Sequence, residues 1–142
     1  MLRTRHVHRR AFTLIELIAV MVVLAILSGV ALPKFFDYSA QAKVSATKGA
    51  LGGVRAAVAN FYANSAITGT PAYPTYSQLT TVGTVLQEPI PENPYNGSPD
   101  VRDADGTYDA ADPPVSGSEG WAYDATAGKF WPNTDNVGEN EW

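Results

Sequence analysis

An apolar segment at residues 12–32, close to the N-terminus, constrains the fold of this chain more than any other feature. The segment has 21 residues, and Glu16 is its one charged residue. As an α-helix it would be about 30 Å long, which matches the hydrocarbon thickness of a bilayer. We therefore predict a helix that can span a membrane.

The charges around this segment predict its orientation. Four arginines and no acidic residue precede it, so the positive-inside rule places the N-terminus in the cytoplasm and the rest of the chain outside. Glu16 lies four residues inside the segment. A carboxylate in hydrocarbon costs a few kcal/mol unless a partner neutralises it, so a charge at this position indicates a functional residue.

The sequence RRAFTLIEL at residues 9–17 resembles the cleavage and methylation motif of type IV prepilins and type II secretion prepseudopilins. The resemblance implies that a prepilin peptidase cuts between Ala11 and Phe12 and that Phe12 is then N-methylated. It also implies that Glu16 pairs with the N-terminal amine of a neighbouring subunit during assembly. Ala11 departs from the family pattern, which more often has glycine before the cut.

Two other interpretations of the N-terminus stay open. The segment could be a secretory signal peptide cut after the small residues at 29–31, or a plain membrane anchor. Its apolar core is long for a signal peptide, and neither interpretation explains the position of Glu16.

The apolar segment is predicted to continue into a longer helix. Pro33 predicts a kink or a looser turn near residues 28–30, and the resemblance implies that the helix ahead of Pro33 can unwind in an assembled filament. Beyond it, apolar residues recur every three or four positions from Phe36 to Phe61, as on an amphipathic helix. Glycines at 49, 52 and 53 would let another element approach this helix closely.

The predicted fold class is α+β: a pilin-like lollipop, in which a long N-terminal helix packs on a small antiparallel sheet with long loops. The domains expected are a removable basic leader (1–11), a transmembrane and assembly helix (12–33), its amphipathic continuation (34–64) and a small globular domain (65–142). Within the globular domain we predict a short helix (76–81), a short strand (84–86), proline-rich turns (89–99), an acidic loop (100–112), an aromatic hairpin (120–133) and a mobile acidic end (135–142), with Trp142 tucked in. The aromatic face of the hairpin would cover the helix at residues 51–61.

The acidic loop is the candidate metal site. The chain has no cysteine and therefore no disulfide, and similar pseudopilins bind calcium near this position. Hard carboxylate oxygens are the ligands that calcium prefers. The expected ligands are Asp100, Asp103, Asp105, Asp109 and Asp112, and a solvated acidic loop is the alternative.

Composition argues against two function classes. Removal of the leader leaves six basic and fourteen acidic residues, a net charge near −8, which does not suit a nucleic-acid-binding surface. Both histidines lie in the leader, at His6 and His8, so the exported part has no histidine or cysteine for nucleophilic catalysis. We predict that the chain is not an enzyme.

The resemblance implies a structural subunit that polymerises into a type II secretion pseudopilus or a type IV pilus. The missing cysteines and the acidic loop favour the pseudopilus over a pilus for adhesion or motility. The implied partners are other copies of the chain, other pilin-like subunits, the prepilin peptidase and methyltransferase, and an inner-membrane assembly platform. The implied location is the bacterial inner membrane, followed by a periplasmic or cell-surface filament. A membrane-tethered binding module and a secreted soluble protein stay open as alternatives.

Overall fold

The computed structural model describes residues 12–142, so the predicted leader and Ala11 lie outside the described residues. The chain divides into two compact units, one ending at Ser39 and one covering Ala40–Trp142. Helix α1 (Leu14–Ile67) runs through both units. It confirms the single long helix predicted from the apolar pattern.

In the first unit, α1 is apolar and exposed on all sides. Every large apolar side chain from Phe12 to Phe36 has about half or more of its surface exposed. By length and composition this helix can cross a membrane. The helix is also continuous through residues 28–30 and Pro33, so the looser turn is not seen, whereas the predicted kink stays a prediction. Pro33 removes one N–H donor, and the helical bonds on either side maintain the helix.

In the second unit, α1 is amphipathic. Thr47, Leu51, Val54 and Val58 are its buried residues, at the spacing of the predicted stripe. The predicted role of the glycines at 49, 52 and 53 is wrong, because a Cβ atom at any of them would meet no other atom within 4 Å. These glycines lie on the exposed side of the helix.

Helix α2 (Tyr76–Thr80) begins where the sequence predicted a short helix. Thr75 caps it: its hydroxyl accepts from the backbone N–H of Gln78, and the Gln78 side chain accepts from the backbone N–H of Thr75. The strand predicted at residues 84–86 is wrong. Gly83 has a positive φ of 90° and its N–H donates to the Leu86 carbonyl at 2.7 Å, so this segment forms a turn.

The sheet has three strands: β1 (Val101–Asp103), β2 (Trp121–Asp124) and β3 (Lys129–Pro132), in the order β1-β2-β3. Strands β2 and β3 form the predicted antiparallel hairpin. Strand β1 pairs with β2 in parallel, so the purely antiparallel sheet predicted is wrong. The acidic segment at 100–112 was predicted as a loop, but it supplies this strand. Residues 104–120 then form the crossover that a parallel pair requires.

The aromatic residues of the hairpin divide between the two faces of the sheet. Trp121, Tyr123 and Phe130 pack with Leu51, Val54 and Val58 of α1, which confirms the predicted cover of the helix. Trp131 lies on the other face with Ala104, Ala122 and Tyr108. This division follows from the alternation of side chains along a strand.

Buried polar side chains tie the proline-rich segment to the sheet. Asn93 is fully buried, and its amide donates to the Gly120 carbonyl at 2.6 Å and to the Thr134 hydroxyl at 3.1 Å. The Trp121 indole N–H donates to the Pro91 carbonyl at 2.8 Å. The Tyr123 hydroxyl donates to the Pro74 carbonyl at 2.6 Å. These bonds hold the loops in a chain that has no cysteine.

Glu139 and Asn140 are buried, although they belong to the segment 135–142 that the sequence predicts to be mobile. The mobility of the segment stays a prediction. Glu139 is fully buried and starts a 3₁₀ helix (Glu139–Glu141). Its carboxylate accepts from the Val137 N–H at 2.7 Å and from the Asn136 amide at 3.2 Å. The predicted tuck of Trp142 is confirmed, since its side chain packs against the core.

Candidate functional site

The candidate functional site is the first turn of α1. Thr13 precedes Leu14, the first residue of the helix, and forms a reciprocal pair of bonds with Glu16. The Thr13 N–H and hydroxyl donate to one carboxylate oxygen of Glu16, at 2.8 and 2.9 Å. The Glu16 N–H donates back to the Thr13 hydroxyl at 3.3 Å. This is a capping box, which satisfies backbone donors that the first turn cannot pair within the helix.

Sequence analysis missed Thr13, although the signal was present. Threonine followed three residues later by glutamate, just before an apolar run, is the pattern of a capping box. The cap gives Glu16 a local structural role beside the assembly role implied by the resemblance. The negative charge at this end of the helix is also favoured by the helix dipole.

The cap fixes Glu16 close to the predicted cleavage point. Phe12 is 88% exposed and lies one residue before Thr13. Glu16 is exposed as well, and its bonds from Thr13 involve one of its two carboxylate oxygens. A carboxylate has about four acceptor positions, so Glu16 can bind a cationic amine while it keeps the cap.

Pro33 lies inside α1 in an exposed position, far along the helix from Glu16. The structure places it in the apolar helix as predicted. Its role in assembly stays a prediction.

The five aspartates predicted to bind calcium do not form one cluster. Within residues 12–142 no three acidic, histidine or cysteine side chains are grouped closely enough to hold a metal ion. Each predicted ligand instead accepts a hydrogen bond from another residue of the chain. The partners are Ser98 for Asp100, Asp105 for Asp103, Thr126 for Asp105, Ala111 for Asp109 and Asn140 for Asp112. The calcium site stays a prediction, and this arrangement does not favour it.

Asp105 has a structural role that its place in an acidic loop did not indicate. One of its oxygens accepts from both the N–H and the hydroxyl of Thr126, at 2.7 and 2.6 Å. Thr126 lies in the turn between β2 and β3. Asp105 therefore joins the acidic segment to the hairpin turn.

Asp124 makes a second connection of this kind, and sequence analysis missed it. Its carboxylate is 1% exposed and accepts from the N–H groups of Tyr108 and Ala127, at 3.0 and 2.9 Å. Burial raises the pKa of Asp124, but several backbone N–H donors together outweigh burial and hold the pKa below its usual value. The sequence alone does not indicate that this aspartate, at the end of a hairpin strand, is buried and not exposed.

Comparison with known proteins agrees with the position of this site. The prokaryotic N-terminal methylation motif matches residues 7–32. The chain is 36% identical over 59 residues to the fimbrial protein EcpC of Eikenella corrodens, a match that covers 42% of this chain and 39% of that protein. It is 42% identical over 59 residues to the type IV major pilin protein PilE of Neisseria gonorrhoeae, covering 42% and 35%.

A fimbrial protein of Neisseria meningitidis serogroup B is 43% identical over 56 residues, covering 39% of this chain and 33% of that protein. The chain therefore spans between a third and two fifths of the length of these three relatives. No solved structure matches the chain significantly. The motif and the pilin matches support a type IV prepilin-like family, which agrees with the resemblance stated above.

Proposed function

We propose that this type IV prepilin-like chain is the structural subunit of a helical filament. The observation that supports the proposal most strongly is the first unit of α1, which is apolar and exposed on all sides and starts with a capped glutamate. A monomer in water would not keep such a surface exposed. A bilayer covers it first, and neighbouring copies of the same helix cover it after assembly.

Covering the apolar surface of α1 is favourable both in the bilayer and in the filament. Each Å² of apolar surface removed from water contributes about 25 cal/mol, whether lipid or protein covers it. The helix therefore leaves the bilayer at little cost only if other helices replace the lipid. Glu16 is the exception, because its charge needs a partner in the dry filament interior. The N-terminal amine of a neighbour, created by cleavage before Phe12, supplies the opposite charge.

Processing and location follow from the same segment. A prepilin peptidase would cut between Ala11 and Phe12, and methylation of Phe12 would follow. The chain would remain in the inner membrane, with its N-terminus in the cytoplasm, until an assembly platform in that membrane adds it to the filament. Other pilin-like subunits could share that filament.

The similarity to pilins indicates a structural subunit and not an enzyme. Two kinds of filament are compatible with a pilin-like subunit: a surface pilus and a secretion pseudopilus. The relatives named above are fimbrial proteins and type IV pilins, which favours a surface pilus. The absence of cysteine favours a pseudopilus that drives secretion. The pseudopilus predicted from the sequence stays a prediction.

A pair of substitutions at Glu16 tests the proposal. Glu16→Ala removes both the charge and the cap, whereas Glu16→Gln removes the charge and keeps a side chain suited to a capping box. We expect both variants to insert in the membrane and to be processed, and both to be missing from filaments, whether these are collected by shear or from the envelope fraction. Filaments of normal yield from Glu16→Gln would contradict the charge-pairing role.

A further inference from the structure

Positive and negative charge are segregated along the described chain. Four of its six basic residues lie on α1, at Lys34, Lys43, Lys48 and Arg55. Twelve of the fourteen acidic residues lie after residue 87, and residues 56–87 have no charged side chain. Each copy therefore presents a basic helix and an acidic set of loops, which are complementary surfaces.

A groove on the second unit lies beside this basic part of the helix. Its volume is about 520 Å³, and its apolar lining comes from Ala40, Val44, Tyr95, Val137 and Trp142. The side chain of Val137 is 62% exposed at its mouth.

Lys43 lines the groove, and Lys48 lies near it because both the groove and Lys48 contact Trp142. The Lys43 ammonium lies 5.8 Å from the centre of the Tyr95 ring, and the Lys48 ammonium lies 4.6 Å from the centre of the Trp142 ring. Both ammonium groups therefore lie over aromatic rings. The groove is thus an apolar surface with positive charge at its rim.

We infer that this groove binds the turn at residues 109–112 of a second copy of the chain. The turn has the sequence Asp-Ala-Ala-Asp, and all four residues are exposed. The Asp109 carboxylate accepts from the Ala111 N–H at 2.8 Å, which folds the turn on itself. Two alanine methyl groups are thus presented between two carboxylates, which complements an apolar groove with lysines at its rim.

In this proposal the contact is heterologous, because residues 109–112 of one copy meet the groove of the next copy. A heterologous contact that does not close into a ring repeats without limit and produces a filament. The inference therefore rests on the proposed function and adds to it the surface that sets subunit register. Charge pairs at the rim of an interface chiefly control specificity and salt dependence, while the apolar contact supplies area.

Cysteine cross-linking in the full chain tests the contact, because the natural sequence has no cysteine. Ala110→Cys and Val137→Cys place one thiol on the turn and one at the groove, both at exposed positions. Oxidation of cells that assemble the double variant should give a ladder of covalent oligomers. Each single variant should give none, and filaments of the double variant that give no ladder would overturn the inference.

Charge reversal gives a second test with a matched control. Lys43→Glu and Asp109→Lys should each lower filament yield at least several-fold, and the two together should restore it. Glu88→Lys reverses an exposed charge elsewhere on the chain, as the matched control for Asp109→Lys, and should have little effect. A double variant no better than the worse single variant would overturn the inference.

The two tests separate this inference from the proposed function. A ladder in membranes from a chain that never enters filaments would support the contact and contradict the filament. If the Lys43→Glu change lowers recovery of the chain in membranes and no ladder forms, the lysine contacts lipid phosphate and the inference fails.

Discussion

The hydroxyl of Thr13 lies 2.9 Å from the carboxylate of Glu16, and the same carboxylate oxygen accepts from the Thr13 N–H at 2.8 Å. The residue proposed to pair subunits is thus also half of the cap that starts α1. An incoming N-terminal amine would meet a carboxylate already oriented by its own helix. Preorganisation of this kind lowers the entropy lost when a contact forms.

We expect Thr13→Ala to weaken assembly while Thr13→Ser preserves it. Alanine removes the hydroxyl that bonds Glu16, and loss of such a cap costs about 1 kcal/mol, whereas serine keeps an equivalent hydroxyl. Filament yield at matched expression is the measurement, with the amount of processed chain in the membrane as control. Equal yields from the alanine and serine variants would show that the cap has no part in assembly.

Stability of the globular part should fall at acid pH. The pKa of Asp124 and that of Glu139 are both held below their usual values, because backbone N–H donors outweigh burial. A lowered folded-state pKa contributes stability that is fully present above the unfolded pKa of about 4 and is lost as pH falls through the folded pKa. We therefore expect the melting temperature of the full chain in detergent to drop below about pH 4.

Asp124→Asn identifies one source of that pH dependence. The variant should melt at a lower temperature at pH 7, since it disrupts buried hydrogen bonds worth about 1–3 kcal/mol, and its melting temperature should change less below pH 4. Asp135→Asn, at an exposed position, serves as the control. An unchanged acid response in Asp124→Asn would assign the pH dependence to other groups.

Alanine substitutions at two adjacent positions of α1 should have different effects on the free energy of unfolding. Leu51 is 2% exposed in the core, and Leu51→Ala should cost about 2–5 kcal/mol of unfolding free energy. Gly52 faces open space, so Gly52→Ala should be neutral or stabilise the helix by up to about 1 kcal/mol. Denaturant unfolding of the detergent-solubilised chain measures both. A destabilising Gly52→Ala would mean that this face packs against something in the monomer.

The parts of the fold that periodicity controls could be predicted from the sequence. The apolar run and the stripe through Leu51, Val54 and Val58 predict α1 and its buried side, and the aromatic residues around a turn predict the hairpin of β2 and β3. These signals depend on local spacing, which the chain keeps whatever its tertiary contacts.

Long-range pairing could not be predicted in the same way. Strand β1 has three residues in a segment rich in aspartate, and only its register with β2 makes it a strand. Glu139 lies in a polar segment that the sequence predicts to be mobile. It is buried, and hydrogen bonds from Asn136 and Val137 satisfy its carboxylate. At the candidate site, Phe12 and Glu16 follow from the motif, and the spacing of Thr13 three residues before Glu16 is the local signal of the cap.

The most direct test of the filament account is the identity of the N-terminus in sheared filaments at native expression. Filaments are removed from the cells by shear, pelleted and analysed by mass spectrometry. The account predicts abundant chain that begins with N-methylated Phe12, either in the sheared pellet for a pilus or in the envelope fraction for a pseudopilus. A mature chain that begins near Leu32, or an uncut chain that remains a monomer in the membrane, would contradict it.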